Sequence, residues 1–243
     1  MLSFITCATD PDLLQRCLLA SPCLASGNYN QQIYMRAPSA GAAFNREMIQ
    51  QQQVRWLVWV HQDVFLPDGW DARFITAIAE AECCFPRLAV VGIYGVAGVG
   101  SQARRAGHVL DRGTLLQEPA CLPCLVDSID ELLFAVRTDS GLRLDPALGF
   151  DFYGTDLALQ AQERGFQVAV VDAYCEHWST TPREAAPSPA VLKRVAANGK
   201  VFEDKWAHRL PLETPCFSIR QPGDVAAQCC SFGELPSHVA TAI

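Results

Sequence analysis

The chain predicts an α/β fold, with a mostly parallel central sheet flanked by helices, and three observations carry that expectation. Short apolar runs at residues 2–7, 56–60, 88–93, 132–136 and 167–171 have the length and composition of buried strands. Between them lie helical periodicities introduced by capping residues, so strand and helix alternate as a parallel sheet requires. Hydrophobic residues make up 50% of the 243 positions and charged residues 19%, the balance of a folded domain with one sizeable core.

The same composition excludes several functions. A formal net charge of -7 and a pI near 5.2 argue against a nucleic-acid binder, which needs a basic face to neutralise phosphates. No apolar run reaches the roughly eighteen residues of a membrane span, the longest candidate being the glycine-rich stretch 88–100. The segment 1–7 lacks a basic flank and runs at once into Asp10 and Asp12, so no secretory signal is expected. The expected compartment is the cytoplasm. The eleven cysteines, several of them inside apolar segments like Cys7, Cys17 and Cys175, are expected to be reduced thiols.

Taken in order, the first strand ends before Asp10-Pro11-Asp12, which supplies a helix cap, a first-turn proline and an acidic first turn. Leu13, Leu14, Cys17 and Leu18 follow at helical spacing. A second strand is expected near 32–36, then a helix capped by Ser39 with Ala43, Phe44, Met48 and Ile49 facing inward. The four glutamines 50–53 form its polar end. A third helix, capped by Asp68, carries Trp70, Phe74, Ile78, Ala81 and Phe85 on its apolar face, and Pro86 ends it. Residues 101–125 read as a hairpin excursion with Asp111-Arg112-Gly113 as a turn.

Two stretches carry chemistry. The strand 56–60 stops at His61-Gln62-Asp63, which delivers a carboxylate to the edge where open α/β sheets bind ligands; a solvated loop start is the plain alternative. Later, Thr155 is expected to cap a helix with Asp156 in its first turn and Gly165 at its end, and a further strand leads to Glu176-His177-Trp178. Two other motifs point elsewhere. Gly92, Gly95, Gly98 and Gly100 invite a dinucleotide-binding reading, but no helix opens behind them at the required spacing. Cys121 and Cys124 form a lone CxxC without a second pair.

Together the HQDV segment, the DELLFAVR strand, the FDFYGTD helix start and the terminal EHW resemble a bacterial family 2 glycosyltransferase. More narrowly they are similar to the glycosyltransferase-like branch linked with capsule and other surface polysaccharides. The resemblance covers residues 1–180 and implies a single-domain glycosyltransferase A fold. Residues 1–87 then bind a nucleotide-sugar, residues 88–180 shape the acceptor site, and 181–243 form a C-terminal extension.

The resemblance also implies roles. Asp63 matches the last aspartate of the motif that holds Mn²⁺ or Mg²⁺ against the donor diphosphate, and His177 matches a histidine that completes the metal site. Asp156 matches the base that takes a proton from an acceptor hydroxyl, its alternative being an acid favoured by the helix dipole. His61 stands where relatives commonly carry aspartate, and is a third metal candidate. Thr9, Asp10, Ser39, Gly41 and Asn45 are candidate nucleotide contacts together with Asp63. The implied reaction is metal-dependent, inverting transfer from a nucleoside-diphosphate sugar to a glycan or other hydroxyl acceptor, without nucleic acid and with peripheral membrane association open. The competing functions are a nucleotide-dependent oxidoreductase built on the glycine cluster and a non-catalytic binding protein.

Overall fold

The computed structural model describes residues 2–179 and 185–234. The first half alternates as expected: β1 (Leu2–Ala8), α1 (Pro11–Arg16), a short α2 (Pro22–Ala25), β2 (Asn30–Met35), α3 (Ala40–Gln50), β3 (Trp56–Val60), β4 (Val64–Phe65) and α4 (Trp70–Cys84). Asp10 caps α1 by accepting the Asp12 and Leu13 amides, and Ser39 caps α3 through Ala42. Two local expectations change. Ile49 is 63% exposed, because it sits one position past the buried face formed by Ala43, Phe44 and Met48. The cap of α4 is Gly69 rather than Asp68, since the chain enters that helix through a left-handed residue (φ 70°) that glycine tolerates.

The second half continues with β5 (Leu88–Gly92), β6 (Tyr94–Ala97), β7 (Arg104–Asp111), β8 (Thr114–Gln117), β9 (Cys124–Leu125), β10 (Ser128–Ile129) and β11 (Leu133–Arg137). It ends with α5 (Tyr153–Glu163), β12 (Gln167–Val170), β13 (Cys175–His177), α6 (Pro189–Trp206), β14 (Leu212–Glu213), β15 (Ser218–Ile219) and α7 (Asp224–Glu234). Helix α6 runs without a break through eighteen residues, Pro189–Trp206. Helix α5 begins two residues before Thr155, which is buried inside the first turn; its cap is Phe152, again left-handed at φ 64°.

The main sheet has seven strands in the order β2-β1-β3-β11-β5-β12-β9. Strands β2, β1 and β3 are mutually parallel, while β11 runs antiparallel to both β3 and β5. That reversal positions the site. The residues that lead into β11 arrive at the edge where β3 ends, and the His61 amide donates to the Leu132 carbonyl at 2.9 Å. A second sheet, β10-β6-β7-β13-β4 with β8 beside β7, brings β13 antiparallel to β4 so that His177 pairs with Val64, next to Asp63.

Helix α4 covers one face of the main sheet through Trp70, Phe74 and Ile78, and α3 and α5 cover the other through Phe44, Met48, Tyr153 and Leu157. A third cluster joins Phe202 and Trp206 of α6 and Val225 of α7 to Leu148, Phe152 and Leu159. The C-terminal extension therefore shares a core with α5. Thr181, its expected first residue, lies outside the described residues.

Gly92 and Gly95 of the glycine cluster serve close packing. A Cβ at Gly95 would collide with the Ser128 carbonyl, and the chain after Gly92 continues into the β6–β7 hairpin rather than into a phosphate-cradling helix. All eleven cysteines are free thiols. Among the described residues no helix is long and apolar enough to cross a membrane.

Candidate active site

His61, Asp63 and His177 each present a ligand atom within 4.8 Å of the others, at the shared edge of the two sheets. His61 is held from below. Its Nε2 lies 2.8 Å from the Tyr153 hydroxyl, which also accepts the Trp59 indole N–H at 3.1 Å, so the ring is fixed in orientation from the α5 side. Burial lowers the His61 pKa, outweighing the carboxylate of Asp63, and keeps the ring in the neutral form that ligates metals.

His177 is oriented by two carboxylates. Its Nδ1 donates to Asp111 Oδ1 at 2.8 Å, and its Nε2 faces Asp63 Oδ2 at 3.3 Å. Burial opposes the charged imidazolium, but the hydrogen bonds to Asp111 and Asp63 prevail and push the pKa up to about 10. Burial likewise opposes ionisation of Asp63 and Asp111, and contacts with His177 overcome it; Asp111, helped by Arg112, falls to about 2. An arrangement of carboxylate, histidine and open ligand position is the second-sphere support that metal-binding histidines usually have. Two imidazoles and one carboxylate suit Mn²⁺ better than Mg²⁺, which prefers oxygen. The donor set fits a divalent cation.

The other expected residues divide. Thr9 and Asp10 do reach this rim, because both of their amides donate to Gln62 Oε1 at 2.9 and 3.1 Å, which ties the end of β1 to the segment carrying Asp63. Ser39, Gly41 and Asn45 do not. Ser39 is the α3 cap, and a Cβ at Gly41 would lie 2.8 Å from the Pro146 nitrogen. The Asn45 side chain both donates to and accepts from the backbone of Leu144, at 2.8 and 2.9 Å. Gly41 and Asn45 thus pack against the loop before α5, and the Ser39 hydroxyl is engaged as a helix cap.

Asp156 is 0% exposed and fully engaged. Its Oδ1 accepts from Trp206 Nε1 at 2.8 Å and pairs with Lys205 Nζ at 2.7 Å, and its Oδ2 accepts from Gln160 Nε2 at 2.7 Å. In this conformation it fastens α6 to α5. The base role expected for it meets a physical obstacle, because both oxygens are occupied and one partner is a cation.

Sequence reasoning missed Asp111, Tyr153 and Glu131. Glu131 precedes β11, and its Oε1 accepts the Gly154 amide at 3.1 Å, so a distant carboxylate caps α5 where the local residue Phe152 cannot. Burial raises its pKa well above the ordinary carboxylate value. The local signal for Glu131 is the Asp130-Glu131 pair just ahead of the β11 apolar run.

Fold and site together define an α/β protein with two histidines and an aspartate gathered at the ligand edge of its sheet, a set that could hold a metal ion. The model of a glycosyltransferase-like family matches residues 3–194, and the chain belongs to that family. Its architecture is accordingly the glycosyltransferase A type. A curated relative from Fuscovulum blasticum, described as ATP synthase subunits region ORF 6, is 29% identical over 147 residues; the match spans 57% of each chain. Among solved structures, A197 from STIV is similar with a TM-score of 0.43 and 13% identity, over 71% of this chain and 82% of that one. GalNAc-T7, solved with UDP, GalNAc and Mn²⁺, gives a TM-score of 0.48 and 12% identity, over 96% of this chain and 54% of that one.

Proposed function

We propose that this protein is a metal-dependent inverting glycosyltransferase that moves a sugar from a nucleoside-diphosphate sugar to a hydroxyl acceptor. The observation that carries the proposal is the His61–Asp63–His177 cluster, supported from behind by Asp111 and Tyr153, in a chain of glycosyltransferase-like family. A divalent cation held by these three side chains would supply positive charge against the donor diphosphate. Thr9 and Asp10, tied to Gln62, would border the nucleotide. The acceptor would be a hydroxyl of a glycan, a lipid-linked glycan or another molecule.

Inversion needs one carboxylate to take the acceptor proton as the oxygen attacks the anomeric carbon from the face opposite the diphosphate. We assign this to Asp156. The assignment requires Lys205 and Trp206 to give up the carboxylate when acceptor binds, so the two residues set when the base is available.

Calorimetric titration of the protein with Mn²⁺, and then with UDP, GDP and dTDP in the presence of Mn²⁺, tests the donor half. Binding of one nucleoside diphosphate that requires the cation is the expected result, and binding of NAD(H) without cation would favour the oxidoreductase instead. Consumption of the matching nucleotide-sugar, lost in Asp63→Ala and Asp156→Asn, tests the transfer itself.

A further inference from the structure

Trp56, Trp59, Trp70 and Trp206 are buried, whereas Trp178 is 43% exposed. A single exposed ring would carry no message, but Trp178 belongs to a linked row of aromatic and acidic side chains. It lies on Phe65 with ring centroids 5.0 Å apart and planes 15° apart, and its indole N–H donates to Glu176 Oε2 at 2.8 Å. The other oxygen of Glu176 accepts the Tyr174 hydroxyl at 3.3 Å, and Tyr174 packs against the His108 ring with centroids 4.9 Å apart. One carboxylate thus fixes two aromatic rings. His108 Nδ1 in turn lies 3.4 Å from Asp172, which borders an open cavity of about 380 Å³ against α4. Phe65, His108, Tyr174 and Glu176 are all partly exposed.

Strand alternation separates this row from the His61–Asp63–His177 cluster. Pairing of β13 with β4 sets Glu176 opposite Phe65 and His177 opposite Val64, so Glu176 and Phe65 share one face of the second sheet and His177 lies on the other. The two faces meet at the Trp178 amide, which donates to the Asp63 carbonyl at 2.7 Å.

We infer that this outer face binds a neutral oligosaccharide. That the saccharide is the acceptor chain rests on the glycosyl-transfer reading above. A sugar ring presents C–H groups on its faces and hydroxyls at its rim, so it is held by flat aromatic surfaces with hydrogen-bond acceptors between them. Trp178 and Tyr174 supply the rings, already oriented, and Glu176 supplies the acceptor between them. The extended chain from Tyr174 to Trp178 covers about 13 Å, enough for more than one sugar ring. Charge narrows the choice further: Asp172 and Glu176 repel an anionic bilayer or a nucleic acid and leave a neutral saccharide unopposed.

Tryptophan emission reads this surface, because the other four indoles are buried. Titration with neutral hexasaccharides of glucose, galactose and N-acetylglucosamine, without nucleotide or cation, should shift the emission with at least one of them, and calorimetry gives the affinity. Trp178→Ala should weaken that affinity roughly 10-fold, as for a lost aromatic contact, while Trp178→Phe keeps most of it. Both variants should melt with wild type and bind Mn²⁺ as wild type does. Absence of binding to all three hexasaccharides overturns the inference, as does equal affinity in Trp178→Ala or a parallel loss of its Mn²⁺ affinity. Association with phosphatidylglycerol vesicles that depends on Trp178 and is not displaced by saccharide would overturn it in favour of a membrane face. Saccharide binding by a wild type that binds no nucleoside diphosphate with Mn²⁺ would bring down the transfer reading and the acceptor assignment, and leave the saccharide face standing.

Discussion

Asp63 and Asp156 are both carboxylates placed by the sequence at the ligand side of an α/β sheet, yet their surroundings are opposite. Asp63 faces two imidazoles, one of them held by Asp111 and the other by Tyr153, and its neighbours are groups that can exchange a proton for a cation. Asp156 is sealed under α6 with Gln160, Lys205 and Trp206 on its oxygens. One carboxylate sits in a cluster organised to receive charge. The other already has its charge compensated from within the chain. Position on an element therefore selects candidates, while the partners on the oxygens decide what each can do.

The largest expected effect tests the sealed carboxylate. Asp156→Ala leaves Trp206 and Lys205 without their buried partner and should destabilise the fold by about 3 to 5 kcal/mol, the usual cost of removing one side of a buried pair; denaturant unfolding measures it. If the loss is below about 1 kcal/mol, Asp156 does not fasten α6 and the contrast with Asp63 collapses.

Asp63→Ala should do the reverse: a smaller loss of stability than Asp156→Ala, because His177 keeps Asp111 as a partner, but about 100-fold weaker Mn²⁺ binding by calorimetry, roughly 2.7 kcal/mol. Removing the cation with EDTA should likewise leave the wild-type fold intact and abolish nucleotide binding. Asp111→Asn probes the support behind the cluster, with an expected 10- to 100-fold drop in Mn²⁺ affinity, the range for second-sphere partners of metal-bound histidine. Unaltered affinity there would mean that Asp63 and His61 suffice. The smallest effects belong to residues on neither side of the comparison. Ser39→Ala should cost about 1 kcal/mol through the lost α3 cap with nucleotide affinity unchanged, and weakened nucleotide binding would restore Ser39 to the site. Ile49→Ser should stay within about 0.5 kcal/mol of wild type, as an exposed side chain.

Much of the fold was legible because it rests on local pattern. Strand runs such as 56–60 and the periodicity of Phe44, Met48, Trp70 and Phe74 report burial directly, and the Asp10 and Ser39 caps are local hydrogen bonds. The helix starts at 69 and 152 were misplaced for one reason: both enter through a left-handed residue, and in α5 the cap arrives from Glu131, 23 positions away. The candidate ligands His61, Asp63 and His177 were legible through a resemblance, since nothing in their spacing shows that β13 pairs with β4. Asp111 could not be read at all. It enters the site only through the parallel pairing of β7 with β13, which aligns it with His177. Gly41 and Asn45 follow a helix start, and long-range packing against residues 144–146, which no local pattern shows, engages them.

The capping of α5 by Glu131 bears on how this protein opens and closes. A helix whose first amides are satisfied by its own cap can fray independently of the sheet, but the Gly154 amide is bonded to the residue that leads into β11. Its hydrogen exchange should therefore report opening of the central sheet and not of the helix end, with protection close to that of the β11 amides. Tyr153, which steadies His61, is the residue before it. The His61–Asp63–His177 cluster and the innermost strand thus belong to one cooperative unit, and the cluster keeps its shape for as long as the sheet does.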